Sequence, residues 1–294
     1  MKKTLIATAI AGAMSFSVAA QAAPTVYGNI QVVVDATDDM YAADNGSTIG
    51  FKGEEALNNG LTAIYKAEFE FDAGTNKGAP KGTGQKDGLE ISDQNYLGVK
   101  GSFGTVRVGA FDTVSNDFVH DMVYAAEFAD YVSSSFTAGE NQQVQYTGEF
   151  GALTVGASVQ LNEGTEAVED KQQVMQLGAK FAVAEGIVAS AAFDSEDGVG
   201  VGAQFSADAL TLGGKFETSD AYKSVISASA DFNYGMGNVY AVVDMSEEDK
   251  SGADSETNYM FGATYSLGSN MYTYVELGDG DTAESTAVGA VLSF

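Results

Sequence analysis

The sequence predicts an all-β fold: a transmembrane antiparallel β-barrel of sixteen strands. Three observations carry that expectation. Apolar and polar residues alternate along most of the chain. The segments between the alternating runs sort into a short set and a long set. The last run alternates up to a C-terminal Phe294.

The first residues are set aside before the strands are counted. Lys2 and Lys3 precede a short, mostly apolar stretch, and Ala20-Gln21-Ala22 has the form of a small-residue cleavage site. Residues 1–22 read as a secretory signal peptide, too short for a spanning helix. Residues 23–294 remain as one barrel domain. The leader holds two of the 14 bases and none of the 41 acids, so 12 bases face 41 acids in the mature part. A chain so acidic would be repelled by phosphate, which excludes a nucleic-acid partner. Without cysteine there is no disulfide or thiolate site. A composition that is 45% hydrophobic and 11% aromatic is too apolar for a disordered acidic chain. No mature segment has 18 consecutive apolar residues, so no spanning helix is expected.

The alternation is period two. Leu61, Ala63, Tyr65, Ala67, Phe69 and Phe71 interleave with Thr62, Ile64, Lys66, Glu68 and Glu70. Leu153, Val155, Ala157, Val159 and Leu161 interleave with Thr154, Gly156, Ser158 and Gln160. Leu210, Leu212 and Phe216 interleave with Thr211, Lys215 and Glu217. Ile226, Ala228, Ala230, Phe232 and Tyr234 interleave with Ser227, Ser229, Asp231 and Asn233. Each run has one apolar and one wet face. The parity is ambiguous only around residues 96–100 and 271–277.

Short turns fall at residues 58–60, 101–104, 149–151, 184–186, 206–208, 235–237 and 268–270. Mostly longer polar segments lie between them, at 36–46, 73–92, 111–141, 162–171, 195–197, 219–223, 246–255 and 278–285. Seven turns and eight loops join sixteen strands. A soluble sandwich would not sort its connections this way; a membrane barrel does. Closure also removes exposed strand edges. Tyr and Phe near strand ends can supply interfacial girdles, since Trp is absent. Val288, Ala290, Leu292 and Phe294 form the last apolar face. This terminal aromatic resembles the signal that outer-membrane barrels present to their assembly machinery.

With the strands in place, the chain resembles the Gram-negative general diffusion porins, which form trimers in the outer membrane. The resemblance rests on Ser47-Thr48-Ile49-Gly50-Phe51-Lys52-Gly53-Glu54-Glu55 with Asn59-Gly60-Leu61-Thr62-Ala63. It rests further on Tyr96-Leu97-Gly98-Val99-Lys100-Gly101-Ser102-Phe103-Gly104-Thr105-Val106 with Gly109 and Asp112-Thr113. Val144-Gln145-Tyr146, Phe150-Gly151, Val155-Gly156-Ala157 and Phe294 complete it. It implies a homotrimer in outer-membrane lipid and lipopolysaccharide, and an encounter with the barrel-assembly machinery. It also implies a third loop that folds inward and narrows a water-filled channel for small hydrophilic solutes and ions. By the count above, the longest connection, 111–141, is that third loop. Glu127-Phe128-Ala129-Asp130 is similar to the acidic segment such porins present to the constriction, with Asp117 and Asp121 as further candidates.

Porins of this family place arginines on the wall facing that loop. Here the matching positions hold Thr48, Asp93 and Gly139 or Glu140. The transverse field is therefore expected to be weak or absent, with Lys52 and Lys66 as partial substitutes by parity. The excess of acids leads to an expected cation preference. The loop acids also suit a surface in high salt, where screening acts over about 3 Å at 1 M.

No covalent chemistry is expected. The single histidine, His120, sits in the third loop and reads as a polar pore-facing residue. No metal site and no cofactor are expected, because the acidic clusters lack the spacing of a calcium loop. The reading from another class is a secreted, soluble all-β surface or adhesive protein adapted to high salt. It would share the leader, acidity and alternation, but would not need the sorted connections or the terminal aromatic.

Overall fold

A computed structural model describes residues 23–74, 88–92, 94–123, 126–129, 131–136, 138–161, 173–281 and 284–294. The signal-peptide segment 1–22, Asp93 and Asp130 lie outside the described residues. The strands are β1 (Thr25–Asp35), β2 (Tyr41–Asp44), β3 (Thr48–Ala56), β4 (Thr62–Glu70), β5 (Glu90–Ile91), β6 (Asn95–Gly101), β7 (Gly104–Ala110), β8 (Gln143–Phe150) and β9 (Leu153–Gln160). They continue as β10 (Val174–Ala184), β11 (Ile187–Asp194), β12 (Val199–Ala207), β13 (Leu210–Thr218), β14 (Tyr222–Asn233), β15 (Asn238–Glu248), β16 (Glu256–Ser266), β17 (Met271–Gly280) and β18 (Ser285–Ser293).

All pairings are antiparallel and each long strand pairs with its chain neighbours. The sheet closes through β1 and β18, from Asn29↔Ser293 to Asp35↔Ala287. The chain end extends this seam: Gly28 N–H donates to the Phe294 carbonyl at 3.1 Å, and Phe294 N–H returns a bond to Gly28 at 3.0 Å. The short β2 and β5 only prolong the edges of β1 and β4 in the loops. Setting them aside leaves a closed barrel of sixteen strands.

The two faces follow the sequence parity. On β14, Val225, Ser227, Ser229 and Asp231 are buried, while Ile226 and Phe232 are exposed. Outward-facing Leu97, Phe193 and Phe261 are 64%, 48% and 60% exposed. This belt of large apolar side chains is far wider than the patches soluble monomers tolerate, and it suits a hydrocarbon surround. The two ambiguous segments are resolved the same way. Leu97 points out with Val108, and Val275 and Leu277 point out between buried Tyr274 and Glu276.

The connections keep the two rims distinct. On one rim tight turns join the strand pairs β3–β4, β6–β7, β8–β9, β10–β11, β12–β13, β14–β15 and β16–β17. On the other lie the remaining connections, of which 111–142, between β7 and β8, is the longest. That segment carries a one-turn helix, α1 (Val114–Phe118), capped by Thr113, whose hydroxyl accepts from Asn116 N–H at 3.2 Å. A 3-10 turn, His120–Met122, follows.

Candidate functional site

Residues 111–142 lie against the face of the barrel that carries the buried polar side chains. Inward glycines make the approach possible. A Cβ on Gly178 would stand 2.7 Å from Val114 Cγ1 and 3.0 Å from the Phe118 ring. One on Gly200 would stand 3.0 Å from Val119 Cγ1 and 2.9 Å from Phe136. Gly178 on β10 and Gly200 on β12 are thus part of the floor on which the segment rests, and a side chain at either would press on it. Val114, Phe118 and Val119 pack with Ala192 there. Further along, Val123, Ala129, Tyr131 and Val132 pack with Tyr240, Val242 and Met260. Phe128 reaches the cluster of Val33, Tyr274, Ala287 and Val291.

The segment runs out along β10–β13, turns at residues 127–129 beside β17, and returns past β15, β13 and β12. Wall side chains hold it by hydrogen bonds. Gln176 accepts from Ser115 N–H at 3.1 Å and donates to the Ser115 hydroxyl at 2.9 Å. At the turn, the Glu276 carboxylate accepts from three successive backbone amides: Glu127 at 2.8 Å, Phe128 at 3.2 Å and Ala129 at 2.7 Å. It also accepts from the Tyr240 hydroxyl at 2.9 Å. Asn45 donates to the Glu127 carbonyl at 2.7 Å. On the return, Asp244 accepts from the Ser133 hydroxyl at 2.7 Å, and Gly139 N–H donates to Gln160 at 3.0 Å. Several inward acids of β13, β15 and β17 therefore bind the loop and do not face open water.

The sequence-proposed residues fall into four groups. Glu127 sits at the turn, where its carboxylate accepts from the Tyr272 hydroxyl at 2.8 Å. Asp117 and Asp121 lie on the outgoing limb, Asp117 half-buried and Asp121 exposed. Thr48, Lys52 and Lys66 lie on β3 and β4, with Lys52 and Lys66 directly opposed. Glu140 closes the base of the loop: its carboxylate accepts from Asn116 at 3.0 Å, and its carbonyl accepts from Gln143 at 3.0 Å. His120, half-buried on the loop, stands 3.5 Å from Lys215 Nζ.

Bases line the wall on β3, β4, β7 and β10. Lys52 and Lys66 lie 4.8 and 5.4 Å from the Tyr27 ring centre, a cation–π arrangement, and Lys66 is 3.5 Å from Glu68. Arg107 on β7 stacks on Phe111 at 4.3 Å and Tyr96 at 5.3 Å, hydrogen-bonds Gln145, and stands 3.7 Å from Asp117. Lys180 on β10 lies 5.4 Å from the Phe118 ring. The alternation Val106-Arg107-Val108 was enough to aim Arg107 inward from sequence.

Burial pushes the Asp117 carboxyl up to about 6. Arg107 opposes that shift, and Asp112 and Asp121 reinforce it. Burial also raises Asp121. Lowering the pH from about 7 to about 5 therefore removes the Asp117 charge while Arg107 keeps its own. Zero-current potentials taken across that range should shift toward anions, with a midpoint near pH 6. A flat profile would place Asp117 outside the conducting path.

Three comparisons follow from this architecture. A family model described as Gram-negative porin matches residues 7–285. A protein named monosaccharide porin from a Halomonas species is 28% identical over an alignment of 377 positions that covers all of both chains. Major outer membrane protein P.IB of Neisseria lactamica is 40% identical over 129 residues, 39% of this chain and 34% of that one. Among solved structures, a loop-deletion variant of OmpT, an outer-membrane protein of Vibrio cholerae, superposes with a TM-score of 0.72. It has 17% identity, over 92% of this chain and 99% of that one. A mutant of the Rhodopseudomonas blastica porin superposes with a TM-score of 0.71 and 18% identity, over 92% and 100% of the two chains. The likeness of the two structures speaks to the fold alone. The family match spans nearly the whole sequence and sets aside the secreted soluble alternative: this chain belongs to the Gram-negative porin family.

Proposed function

We propose that this porin, an outer-membrane diffusion channel, prefers cations, and that the 111–142 segment forms its constriction. The observation that carries the reading is the distribution of charge. Asp117, Asp121 and Glu127 lie on the loop; Lys52 and Lys66 lie on β3 and β4, and Arg107 on β7 stands against the base of the loop, 3.7 Å from Asp117. Passage needs no covalent step: solutes diffuse through water, filtered by width and by fixed charge. Those three acids and three bases are equal in number, so the cation preference comes from acids elsewhere on the path, which concentrate cations and repel anions. The loop-bearing rim adds to this through Asp38, Asp39, Glu247, Glu248, Asp249, Asp254, Asp279 and Asp281. Glu163, Glu166, Glu169 and Asp170, also assigned to that rim from sequence, lie outside the described residues.

The permeants are small hydrophilic solutes and ions. The full-length relative named for monosaccharides supports neutral sugars among them. The chain assembles as a homotrimer among outer-membrane lipid and lipopolysaccharide. Phe294, half exposed beside the β1–β18 seam, serves as the terminal signal for the barrel-assembly machinery.

The constriction assignment is tested with Glu127→Gln combined with Asp130→Asn, reconstituted in planar bilayers. The expected result is a smaller zero-current potential of unchanged sign in a KCl gradient. A potential equal to that of the parent removes both residues from the constriction.

A further inference from the structure

The channel reading makes no use of one ion pair. Lys215 and Glu217, both inward on β13, are 2.7 Å apart, and both side chains are 0% exposed. Removing two charges from water is costly, and the attraction between them restores little beyond that cost. A dehydrated pair on a barrel wall is therefore poorly explained as a source of barrel stability. Its contacts suggest another role. Lys215 Nζ stands 3.5 Å from His120 Nδ1 on the outgoing limb of the loop and also donates to the Ser133 carbonyl on the returning limb. Glu217 accepts from the Ser134 hydroxyl at 3.0 Å and from Ser135 N–H at 2.7 Å, both on the returning limb. The two limbs, separated by more than ten residues of chain, meet the wall at one charged point. Everything beyond that point, including Glu127, projects from it.

We propose that Lys215 and Glu217 are a positioning pair that staples both limbs of the 111–142 loop to β13 and so sets the calibre of the pore. This rests on the reading that the loop narrows the channel. A fully buried ion pair needs satisfied hydrogen bonds on both members, and here the loop supplies them. A loop displaced from the wall would leave both charges short of partners, so the pair selects one loop position over its neighbours.

The test uses the full mature chain in planar bilayers, with heat-modifiable gel mobility as the check of barrel folding. Lys215→Met combined with Glu217→Gln neutralises the pair at similar volume. The expected result is a mean single-channel conductance raised about 1.5-fold or more, with frequent sublevels as the loop shifts. A second pair of substitutions asks whether the loop is the cause. The chain has no cysteine, and a Cβ at Gly202 would lie 3.0 Å from Met122 Cβ. That is within a small adjustment of the roughly 3.8 Å of a disulfide. Met122→Cys with Gly202→Cys, added to the neutralised pair and oxidised, should return the conductance to the parent value, and reduction should raise it again. Parent-like conductance in the neutralised pair overturns the proposal, and so does a raised conductance that oxidation leaves unchanged. Should the double variant fail to give a folded barrel, the isosteric Glu217→Gln alone carries the same comparison. The Glu127 and Asp130 measurement leaves the pair intact, so a failure of the staple is distinguished from a failure of the constriction reading on which it rests.

Discussion

Glu276→Ala should produce the largest change in conductance of any single wall substitution. The carboxylate accepts the amides of Glu127, Phe128 and Ala129 and the hydroxyl of Tyr240, and its side chain is fully buried. Each buried donor left without an acceptor costs about 1–3 kcal/mol. Three amides and a hydroxyl therefore lose roughly 4 kcal/mol or more of seating, since partial hydration recovers some of it. The turn is the part of the loop farthest from its bases, so the chain can yield there without opening the barrel. The expected outcome is higher mean conductance and greater current noise, with unchanged heat-modifiable mobility. Glu276→Gln, which keeps one oxygen acceptor, should fall between the parent and the alanine variant. Quiet, parent-like openings from Glu276→Ala would mean that the apolar seat of Phe128 alone holds the turn.

Arg107→Gln should give the largest change in selectivity. Arg107 is the sole arginine of the chain and stands 3.7 Å from Asp117. Its removal leaves the loop acids without their nearest cation, so cation preference should rise. A unit charge at this range is worth about 4 kcal/mol at an effective dielectric constant near 20. Solvent in the pore screens most of that, so the permeability ratio is expected to change by roughly twofold. The pH must be chosen with care, because Arg107 is also what holds the Asp117 carboxyl down against burial. Without the guanidinium that carboxyl moves further up and carries less charge at neutral pH. The measurement therefore belongs at about pH 8, where Asp117 remains ionised in the parent. An unchanged reversal potential there would place Arg107 behind the conducting path as a packing residue, consistent only with its stacking on Phe111 and Tyr96.

The barrel was legible because its two signals are local. Alternation such as Ile226 to Phe232 depends on the pleat and the lipid, and turn length depends on which rim a connection occupies. Where parity was ambiguous, the cause was composition. Met271-Tyr272-Thr273-Tyr274 puts amphipathic rings on one face and apolar or small residues on the other, and only register with β16 and β18 decides between them. The charged lumen was partly legible. Lys52 and Lys66 are inward by parity and are found together on Tyr27. Arg107 obeys the same parity, yet its significance emerges only when the loop brings Asp117 to it. The clamps were not legible at all. Glu217, Asp244 and Glu276 look like any other inward acids, and the loop amides and hydroxyls they bind lie 82 to 149 residues away in the chain. The inward glycines read as small residues in strands, and their use as a floor depends on what lies over them.

The most direct measurement is the zero-current potential of the wild-type channel in a planar bilayer across a steep KCl gradient at neutral pH. A cation-selective sign is predicted, set by the acid-rich rim together with Asp117, Asp121 and Glu127 against Lys52, Lys66 and Arg107. An anion-selective sign, or none, would show that the wall bases govern the pore and would contradict the account.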